Sequence, residues 1–326
     1  MKKYKVLITT YPFGLSGSKP LDLLKESGHE IYNNPLGRRL RPNEVSEIIK
    51  KFDIVIAGTE PYPIDVLENS KIKAIFRVGI GLDNIPLNYC KNNDITVGYT
   101  PDAPSQAVAE LTVANIINLS RNILQSNISV RKGEWKRYLG YLIEEITIGI
   151  VGLGRIGSKV AHLLQPFNPN ILVAEIQDRT EIIQKYNLKL VDKETLFRNS
   201  NIVSLHIPNN KNNYKYINKD ILNLMKKGSY IINTSRGQII DEHELYNFLK
   251  EGHIAGAALD VFCNEPYKGK LTELENIIFT AHMGASAQKS RYLMELNAVE
   301  DFINFANNKP LVNNALIQEN LKQSKF

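Results

Sequence analysis

Apolar and polar positions alternate in short blocks along the first hundred residues. Between the apolar blocks lie polar segments whose few apolar residues fall at helical spacing. The apolar blocks are KVLIT (5–9), HEIY (29–32), DIVIAG (53–58), KAIFRV (73–78) and ITVGY (95–99). Strands that alternate with helices in this way predict a parallel sheet covered by helices.

The same alternation resumes at residue 145 and continues through seven further strand-like blocks. These are EITIGIVG (145–152), ILVAE (171–175), LKLV (188–191), IVSLHI (202–207), SYIINT (229–234), AGAALDV (255–261) and NIIFTA (276–281). Seven strands separated by helices predict a second, doubly wound sheet.

A different pattern separates the two sets of strands. In residues 100–123 the prolines Pro101 and Pro104 precede apolar residues at helical spacing. Proline suits the first turn of a helix, so we predict a long helix from about 104 to 124 and a domain boundary near residue 100. After Gly284 the chain returns to a helical pattern and ends in a polar tail.

A glycine-rich turn follows the first strand of the second set. Residues 149–157 read GIVGLGRIG, which places Gly152, Gly154 and Gly157 in a GxGxxG pattern before an amphipathic helix. Such glycines allow a tight turn, close approach to a pyrophosphate and close packing of helix on strand. An ordinary strand-turn-helix is the alternative. However, Glu175 ends the next strand, where a ribose would need a carboxylate, so we predict a dinucleotide site.

Composition narrows the class of protein. The 326 residues are 43% hydrophobic and 23% charged, as in globular proteins, and no apolar run approaches the ~20 residues of a membrane span. The start, MKKYKVLITT, is typical of a first strand rather than a signal peptide. Two distant cysteines, Cys90 and Cys263, indicate neither a disulfide framework nor a metal site. We therefore expect a cytoplasmic protein without a membrane partner.

The net charge is +6 and the isoelectric point about 9.0. Such a charge suits either nucleic acid or small anions. The lysines are scattered among asparagine and isoleucine, without a basic helix or interleaved aromatic residues. We expect no nucleic-acid partner.

Three side chains with acid–base or anion-binding chemistry follow late strands of the second set. They are Arg236 in NTSRG, Glu265 in FCNEP and His282 in TAHMG. Taken singly, they fit a surface arginine, a loop carboxylate and a structural histidine. Together, a guanidinium can hold a carboxylate, and a histidine oriented by a carboxylate can move a proton. With a nicotinamide, this set suits reversible reduction of a 2-oxo acid.

The chain resembles the D-isomer-specific 2-hydroxyacid dehydrogenase family over essentially its whole length. The resemblance is carried by VGIGLDNI (78–85), AVAELT (107–112), GIVGLGRIG (149–157), SLHIP (204–208), NTSRGQIIDEHEL (233–245), ALDVFCNEP (258–266) and AHMGASA (281–287). It implies two doubly wound α/β domains and an active site in the cleft between them. A discontinuous flavodoxin-like substrate domain would comprise 1–99 and 287–326, and a Rossmann domain that binds NAD would comprise 100–286.

The resemblance also implies a role for each matching residue. Arg236 would bind the substrate carboxylate and polarise the C2 oxygen, His282 would exchange the proton with that oxygen, and Glu265 would hydrogen-bond His282. The implied substrate-binding N–H groups belong to Ile80 and Gly81. The implied cofactor-binding residues are Gly152, Gly154, Arg155, Ile156, Gly157, Glu175, His206, Pro208, Thr234 and Asp260.

Within that set, Asp260 would bind the carboxamide, Thr234 the cofactor through its backbone, and His206 and Pro208 the adenosine half. Glu175 would accept both ribose hydroxyls and repel a 2′-phosphate, which favours NAD over NADP. Arg179 keeps NADP open as an alternative.

The substrate is less determined. The segment NPLGRRLRP (34–42) carries Arg38 and Arg39, which could hold a phosphate as in phosphoglycerate dehydrogenase-like members, or could form a solvated basic loop. Glu60 in the same domain weakens the phosphate interpretation. We predict a D-3-phosphoglycerate dehydrogenase-like enzyme, with a glyoxylate or hydroxypyruvate reductase, or another D-2-hydroxyacid dehydrogenase, as the alternative.

Two more distant alternatives stay open. A formate dehydrogenase-like activity is one of them. The resemblance disfavours it, because that subfamily has a glutamine at the position that Glu265 occupies in this chain. An NAD-sensing binding protein without activity is the other alternative. By resemblance we also expect a homodimer built across the helix at about 104–124, with Trp135 packed there.

Overall fold

The computed structural model describes residues 3–318 and divides them into two compact units. One unit runs to Pro104 and resumes at Ala285, and the other comprises Ser105–Gly284. Each unit contains its own sheet and its own hydrophobic core.

The first unit is built on five short parallel strands and helices on both sides of them. The strands are β1 (Lys5–Ile8), β2 (Glu30–Asn33), β3 (Ile54–Ala57), β4 (Ala74–Arg77) and β5 (Thr96–Tyr99), and the helices between them are α1 (Lys19–Glu26), α2 (Pro42–Ile48), α3 (Ile64–Glu68) and α4 (Leu87–Asn92). The strand order is β2-β1-β3-β4-β5, with β1 beside both β2 and β3. This is the flavodoxin-like order, whose ligands lie at the carboxyl ends of the strands.

The second unit contains seven parallel strands. They are β6 (Thr147–Val151), β7 (Asn170–Ala174), β8 (Lys189–Leu190), β9 (Ile202–Leu205), β10 (Ser229–Asn233), β11 (Ile254–Leu259) and β12 (Ile277–Phe279). The helices are α5 (Ser105–Ser120), α6 (Ile123–Arg131), α7 (Arg155–Leu164), α8 (Thr180–Lys185), α9 (Lys193–Asn199), α10 (Lys219–Leu224) and α11 (Glu242–Lys250).

The order of these seven strands is β12-β11-β10-β9-β6-β7-β8, so the direction of winding reverses beside β6. That order is the Rossmann arrangement with one extra strand at the edge. Residues of β6, β9 and β10 such as Ile150, Val203 and Ile231 are fully buried, as expected for a sheet covered on both faces. The predicted fold class of two doubly wound parallel sheets is confirmed.

The chain then returns to the first unit through α12 (Gln288–Ala306) and the short α13 (Ala315–Gln318). Buried residues of α12, including Met294 and Phe302, belong to one cluster with Val6 of β1 and Phe76 of β4. The last long helix therefore completes the core of the first unit.

The long helix predicted from about 104 to 124 is shorter than expected. It ends at Ser120, and Asn122 adopts the left-handed region with φ +51° before α6 begins at Ile123. Asparagine is one of the few residues other than glycine that enter this region readily, which explains the break in an otherwise continuous helical pattern.

Across residues 3–318, no helix combines the length and the apolar character needed to cross a membrane.

Candidate active site

The glycine-rich turn lies between β6 and α7, at the carboxyl end of the central strand. Gly152 has φ +91°, and a Cβ there would lie 2.7 Å from the carbonyl oxygen of His206. A Cβ at Gly157 would lie 2.0 Å from the carbonyl oxygen of Gly152, so helix and turn touch through backbone. At Gly154 no described heavy atom lies within 4 Å of a Cβ. Backbone atoms therefore pack tightly against the turn at Gly152 and Gly157, whereas the space at Gly154, at the start of α7, is open.

That open space lies where an anion is bound best. Gly154 caps the ten-residue helix α7, which begins at Arg155 and continues with Ile156. The first N–H groups of a helix and its dipole attract phosphate. The turn and the helix thus fit the pyrophosphate of a dinucleotide.

The two glycines should respond differently to alanine. Gly154→Ala is expected to keep the melting temperature but weaken NADH binding at least about tenfold, because the methyl group enters the open space. Gly157→Ala is expected to destabilise the unit by about 1–3 kcal/mol through overpacking, which lowers Tm by roughly 2–12 °C. Calorimetry of NADH binding and thermal unfolding measure both. Equal loss of stability in the two variants would contradict the assignment.

Glu175 directly follows β7 and faces the glycine-rich turn. One carboxylate oxygen, Oε2, accepts a hydrogen bond from Leu153 N at 2.6 Å. The other, Oε1, accepts from Ile176 N at 2.7 Å and Gln177 N at 2.8 Å. The carboxylate stands beside the turn as predicted, but it also holds the turn through backbone N–H groups. Arg179 donates to Gln177 Oε1 at 2.7 Å.

His206 lies on the other side of the turn. Its backbone N donates to Val151 O at 2.8 Å, and its Nε2 lies 2.9 Å from Ser204 Oγ. Burial lowers the pKa of His206 to about 3, so the imidazole is neutral at physiological pH. Its Nδ1 is buried and has no hydrogen-bond partner in residues 3–318. A buried polar atom beside the turn is available to a ligand.

Pro208, two residues further on, is exposed, and its carbonyl accepts from Asn213 Nδ2 at 2.8 Å. Thr234, at the end of β10, is buried, and its Oγ1 lies 2.9 Å from Thr112 Oγ1 on α5. The side chain of Thr234 therefore fixes the strand end to α5, which leaves its backbone for the predicted cofactor contact.

Arg236 follows β10 on a segment held by its neighbours. Its carbonyl accepts from Asn233 Nδ2 at 2.9 Å, and its Nη1 donates to Ser235 O at 2.6 Å. A Cβ at Gly237 would lie 1.9 Å from the carbonyl carbon of Phe262, so the segments after β10 and β11 touch through backbone. Only glycine allows this approach, which brings Arg236 to the segment that carries Glu265.

Glu265 and His282 are in direct contact. Nδ1 of His282 lies 2.8 Å from Oε2 and 3.1 Å from Oε1 of Glu265. Glu265 Oε1 also accepts from Phe262 N at 3.2 Å. A carboxylate at Nδ1 fixes the ring orientation and places the second nitrogen, Nε2, away from the pair. The His282 side chain is 39% exposed, so this nitrogen can meet a substrate.

The backbone of His282 is unusual. Its φ is +51°, a region that costs a residue other than glycine roughly 1–2 kcal/mol. Strain of this kind persists where surrounding contacts enforce it, commonly at functional sites.

Asp260 supplies those contacts. The residue is 1% exposed, and its Oδ1 accepts from Thr280 Oγ1 at 2.6 Å and Met283 N at 2.8 Å. Its Oδ2 accepts from Gly284 N at 2.8 Å, while its backbone oxygen accepts from His282 N at 2.8 Å. The carboxylate predicted to bind the carboxamide is thus already hydrogen-bonded within the protein.

In the first unit, Ile80 and Gly81 lie in the segment after β4, at the carboxyl edge of the sheet. Gly79, with φ +145°, donates its N–H to Thr100 Oγ1 at 2.7 Å and accepts from Thr100 N at 3.1 Å. Neither Ile80 N nor Gly81 N donates to an acceptor within the described range 3–318. Both N–H groups are available to an anion.

The basic loop after β2 is occupied by internal contacts. Arg38 forms a bidentate pair with Glu44 on α2, at 2.6 and 2.9 Å. This pair and the N–H of Arg41 lower the pKa of Glu44 to about 2. Arg39 donates to Thr59 O at 2.8 Å. A phosphate would have to compete with Glu44 for Arg38.

The sequence did not reveal three contributors to this geometry, namely Thr280, Ser204 and Gly237. Ser204 lies within β9 and Thr280 directly follows β12, and neither hydroxyl shows in the sequence that its partner is His206 or Asp260. Only Gly237 had a signal, because it follows Arg236 directly in SRG. Among residues 3–318, no three His, Cys, Asp or Glu side chains are grouped to hold a metal ion.

The chain is similar to known proteins in both sequence and fold. Residues 113–284 match the family model described as D-isomer specific 2-hydroxyacid dehydrogenase, NAD binding domain. The chain is 35% identical over 272 residues to a glyoxylate reductase of Thermococcus litoralis, covering 80% of this chain and 82% of that protein. It is 38% identical over 259 residues to a D-3-phosphoglycerate dehydrogenase of Methanocaldococcus jannaschii, covering 77% of this chain and 49% of that protein.

The chain thus spans about half the length of that second relative. Among solved structures, the TT0316 protein of Thermus thermophilus superposes with a TM-score of 0.85 at 28% identity, covering 95% of this chain and 99% of that one.

Proposed function

Because the chain belongs to the D-isomer-specific 2-hydroxyacid dehydrogenase family, an NAD-dependent family of oxidoreductases acting on CH–OH donors, we propose that it interconverts a small, unphosphorylated 2-oxo acid and its D-2-hydroxy acid. Glyoxylate and hydroxypyruvate are the proposed substrates. The contact of His282 with Glu265, on the same sheet edge as the glycine-rich turn, is the observation that carries the proposal.

Each residue contributes one part of the reaction. When bound, NADH supplies the hydride that reduces C2. Nε2 of His282 gives the proton to the C2 oxygen, while its Nδ1–H donates to the Glu265 carboxylate and stabilises the protonated ring. Arg236 binds the substrate carboxylate and polarises the carbonyl. In oxidation His282 takes the proton back.

Other residues hold the two ligands. Ile80 and Gly81 offer N–H groups to the substrate carboxylate. The turn Gly152–Gly157 and α7 receive the pyrophosphate, and Glu175 accepts from the ribose with the lone pairs that backbone N–H groups leave. His206 Nδ1 is available to the adenosine half. These assignments are supported by the open space at Gly154 and by the buried, unpartnered Nδ1.

The choice of an unphosphorylated substrate rests on the first unit. Arg38, one of the two arginines predicted to hold a phosphate, is paired with Glu44 through two hydrogen bonds of 2.6 and 2.9 Å. Glu60, after β3, is a second carboxylate at this sheet edge; it is buried and accepts from Gly58 N at 2.7 Å. A phosphate here would be repelled by the carboxylate of Glu60. It would also have to displace Glu44 from Arg38, whose charge that carboxylate already neutralises.

A substrate panel tests the proposal. We expect NADH absorbance to fall with glyoxylate and hydroxypyruvate, at a kcat/KM at least about tenfold above that for 3-phosphohydroxypyruvate, a difference of about 1.4 kcal/mol. Arg38→Gln should change neither value appreciably. No turnover of any 2-oxo acid would contradict the enzyme assignment.

D-3-phosphoglycerate dehydrogenase activity is the second candidate, favoured by the basic loop 38–41 and by the relative of that name. A preference for 3-phosphohydroxypyruvate that disappears in Arg38→Gln and Arg39→Gln would establish it in place of the first.

We also propose a homodimer. The segment after α6 exposes large apolar side chains, with Trp135 at 80% and Leu139 at 96%. Several such residues on one segment are typical of a surface that another chain covers. Trp135→Ala should shift the sedimentation coefficient toward that of a monomer.

A further inference from the structure

We propose that Asp260 is a positioning residue, which together with Thr280 holds the backbone of residues 282–284 so that His282 faces its carboxylate partner and the substrate. This role differs from direct binding of the carboxamide. It rests on the proposed function of His282.

The hydrogen bonds of Asp260 account for three successive backbone N–H groups. His282 N donates to its backbone oxygen, Met283 N to Oδ1 and Gly284 N to Oδ2, each at 2.8 Å. Two N–H groups on one buried carboxylate are charge-assisted and directional. They determine the path of the chain directly beside the catalytic imidazole.

Thr280 determines the orientation of the carboxylate. Its Oγ1 donates to Oδ1 at 2.6 Å, while its N donates to Leu259 O at 3.1 Å. The hydroxyl thus ties the end of β12 to the residue that follows β11. Within residues 3–318, this hydroxyl donates to Asp260 rather than to the imidazole of His282.

The segment after β11 therefore holds the segment after β12 through two sets of hydrogen bonds. Asp260 holds its backbone, and Glu265, on the same segment, holds the imidazole at Nδ1. With both sets in place the left-handed φ of His282 is enforced. With Asp260 altered, the histidine can relax to an ordinary backbone conformation and leave Glu265.

Three variants test the proposal. Thr280→Val removes the hydroxyl at nearly constant volume, whereas Thr280→Ser keeps it. We expect kcat to fall about tenfold or more in Thr280→Val and to be largely retained in Thr280→Ser, with little change in the Kd of NADH. Asp260→Asn places an amide where two N–H groups need an acceptor, so kcat should fall about a hundredfold, again with NADH affinity nearly unchanged.

Two results would contradict the proposal. If Asp260→Asn weakens NADH binding more than about tenfold while kcat at saturation is retained, Asp260 binds the cofactor directly and the proposal is wrong. Equal activity of Thr280→Val and Thr280→Ser would also overturn it.

A second readout does not depend on turnover. In the full-length protein labelled at histidine, the Nδ1–H proton of His282 that faces Glu265 should resonate far downfield, and its loss in His282→Ala assigns it. We expect this signal to weaken or shift in Thr280→Val and to persist in Thr280→Ser. If the wild-type protein reduces no 2-oxo acid but the signal behaves in this way, the proposed function fails and the positioning role of Asp260 stands. An unchanged signal in Thr280→Val and Asp260→Asn overturns the positioning role alone.

Discussion

Replacing His282 with alanine is expected to lower kcat about a thousandfold while leaving NADH binding within about twofold of the wild-type value. A positioned general acid contributes about 10²–10⁴-fold to rate, and His282 is the imidazole whose Nδ1 contacts a carboxylate, Glu265. The cofactor contacts that we assign lie at the glycine-rich turn and at Glu175, so they should survive the change. Stopped-flow reduction of glyoxylate and fluorescence titration of NADH measure the two quantities.

His243 provides the control. It lies exposed on α11 in the same unit, and its backbone N donates to Asp241 Oδ1 at 3.2 Å. His243→Ala should leave both kcat and NADH affinity unchanged. If His282→Ala instead unfolds the protein, or keeps its activity, His282 is a structural histidine. Alanine keeps the backbone N–H that donates to Asp260 O, so we expect the variant to remain folded.

The central strands of both sheets were predictable from the sequence because they are buried on both faces. Fully buried parallel strands have continuous apolar sequences, as in Ile54–Ala57, and such a run can be recognised without knowing the partner strands. The break of the helix at Ser120 was less visible, because the residues on both sides of Asn122 are helical. The two-residue strand β8 was similarly overestimated at four residues.

The contact of His282 with Glu265 was expected from the family resemblance, and the residues do meet. The sequence could not show which groups of the protein itself bind the charged side chains that were predicted to bind ligands. Arg38 is six residues from Glu44, yet a basic run alone does not reveal that a following helix brings a carboxylate to it. Likewise Glu175 binds three backbone N–H groups, which have no sequence signature.

The hydrogen bonds of Asp260 also could not be predicted from the sequence. The resemblance assigned it to the cofactor, and its oxygens also accept from Thr280, Met283 and Gly284. These partners follow β12, about 20 residues later, and meet Asp260 only because β11 and β12 are adjacent in the sheet. Long-range register, rather than local pattern, decides which role a buried carboxylate can have.

Replacing Arg236 with glutamine is expected to lower kcat/KM for a 2-oxo acid by about 30- to 4,000-fold. Removing one partner of a close charge pair costs about 2–5 kcal/mol, and every 1.4 kcal/mol is tenfold. Arg236→Lys keeps the charge but loses the planar, two-pronged donor geometry, so it should recover only part of the loss. Arg198→Gln, which breaks an exposed pair with Glu194, is the matched control and should have no effect.

The effect should depend on the carboxylate of the substrate. We expect the wild-type protein to prefer hydroxypyruvate strongly over its amide, and Arg236→Gln to bring the two values of kcat/KM close together. Arg236 also donates to Ser235 O, and its segment packs on Phe262 through Gly237. If these structural contacts were its only role, the substitution would lower kcat/KM equally for both substrates. Retained discrimination in a folded Arg236→Gln variant would move the carboxylate site elsewhere, with Ile80 and Gly81 as the remaining donors. The ratio of the two substrates, rather than the loss of rate, therefore decides what Arg236 does.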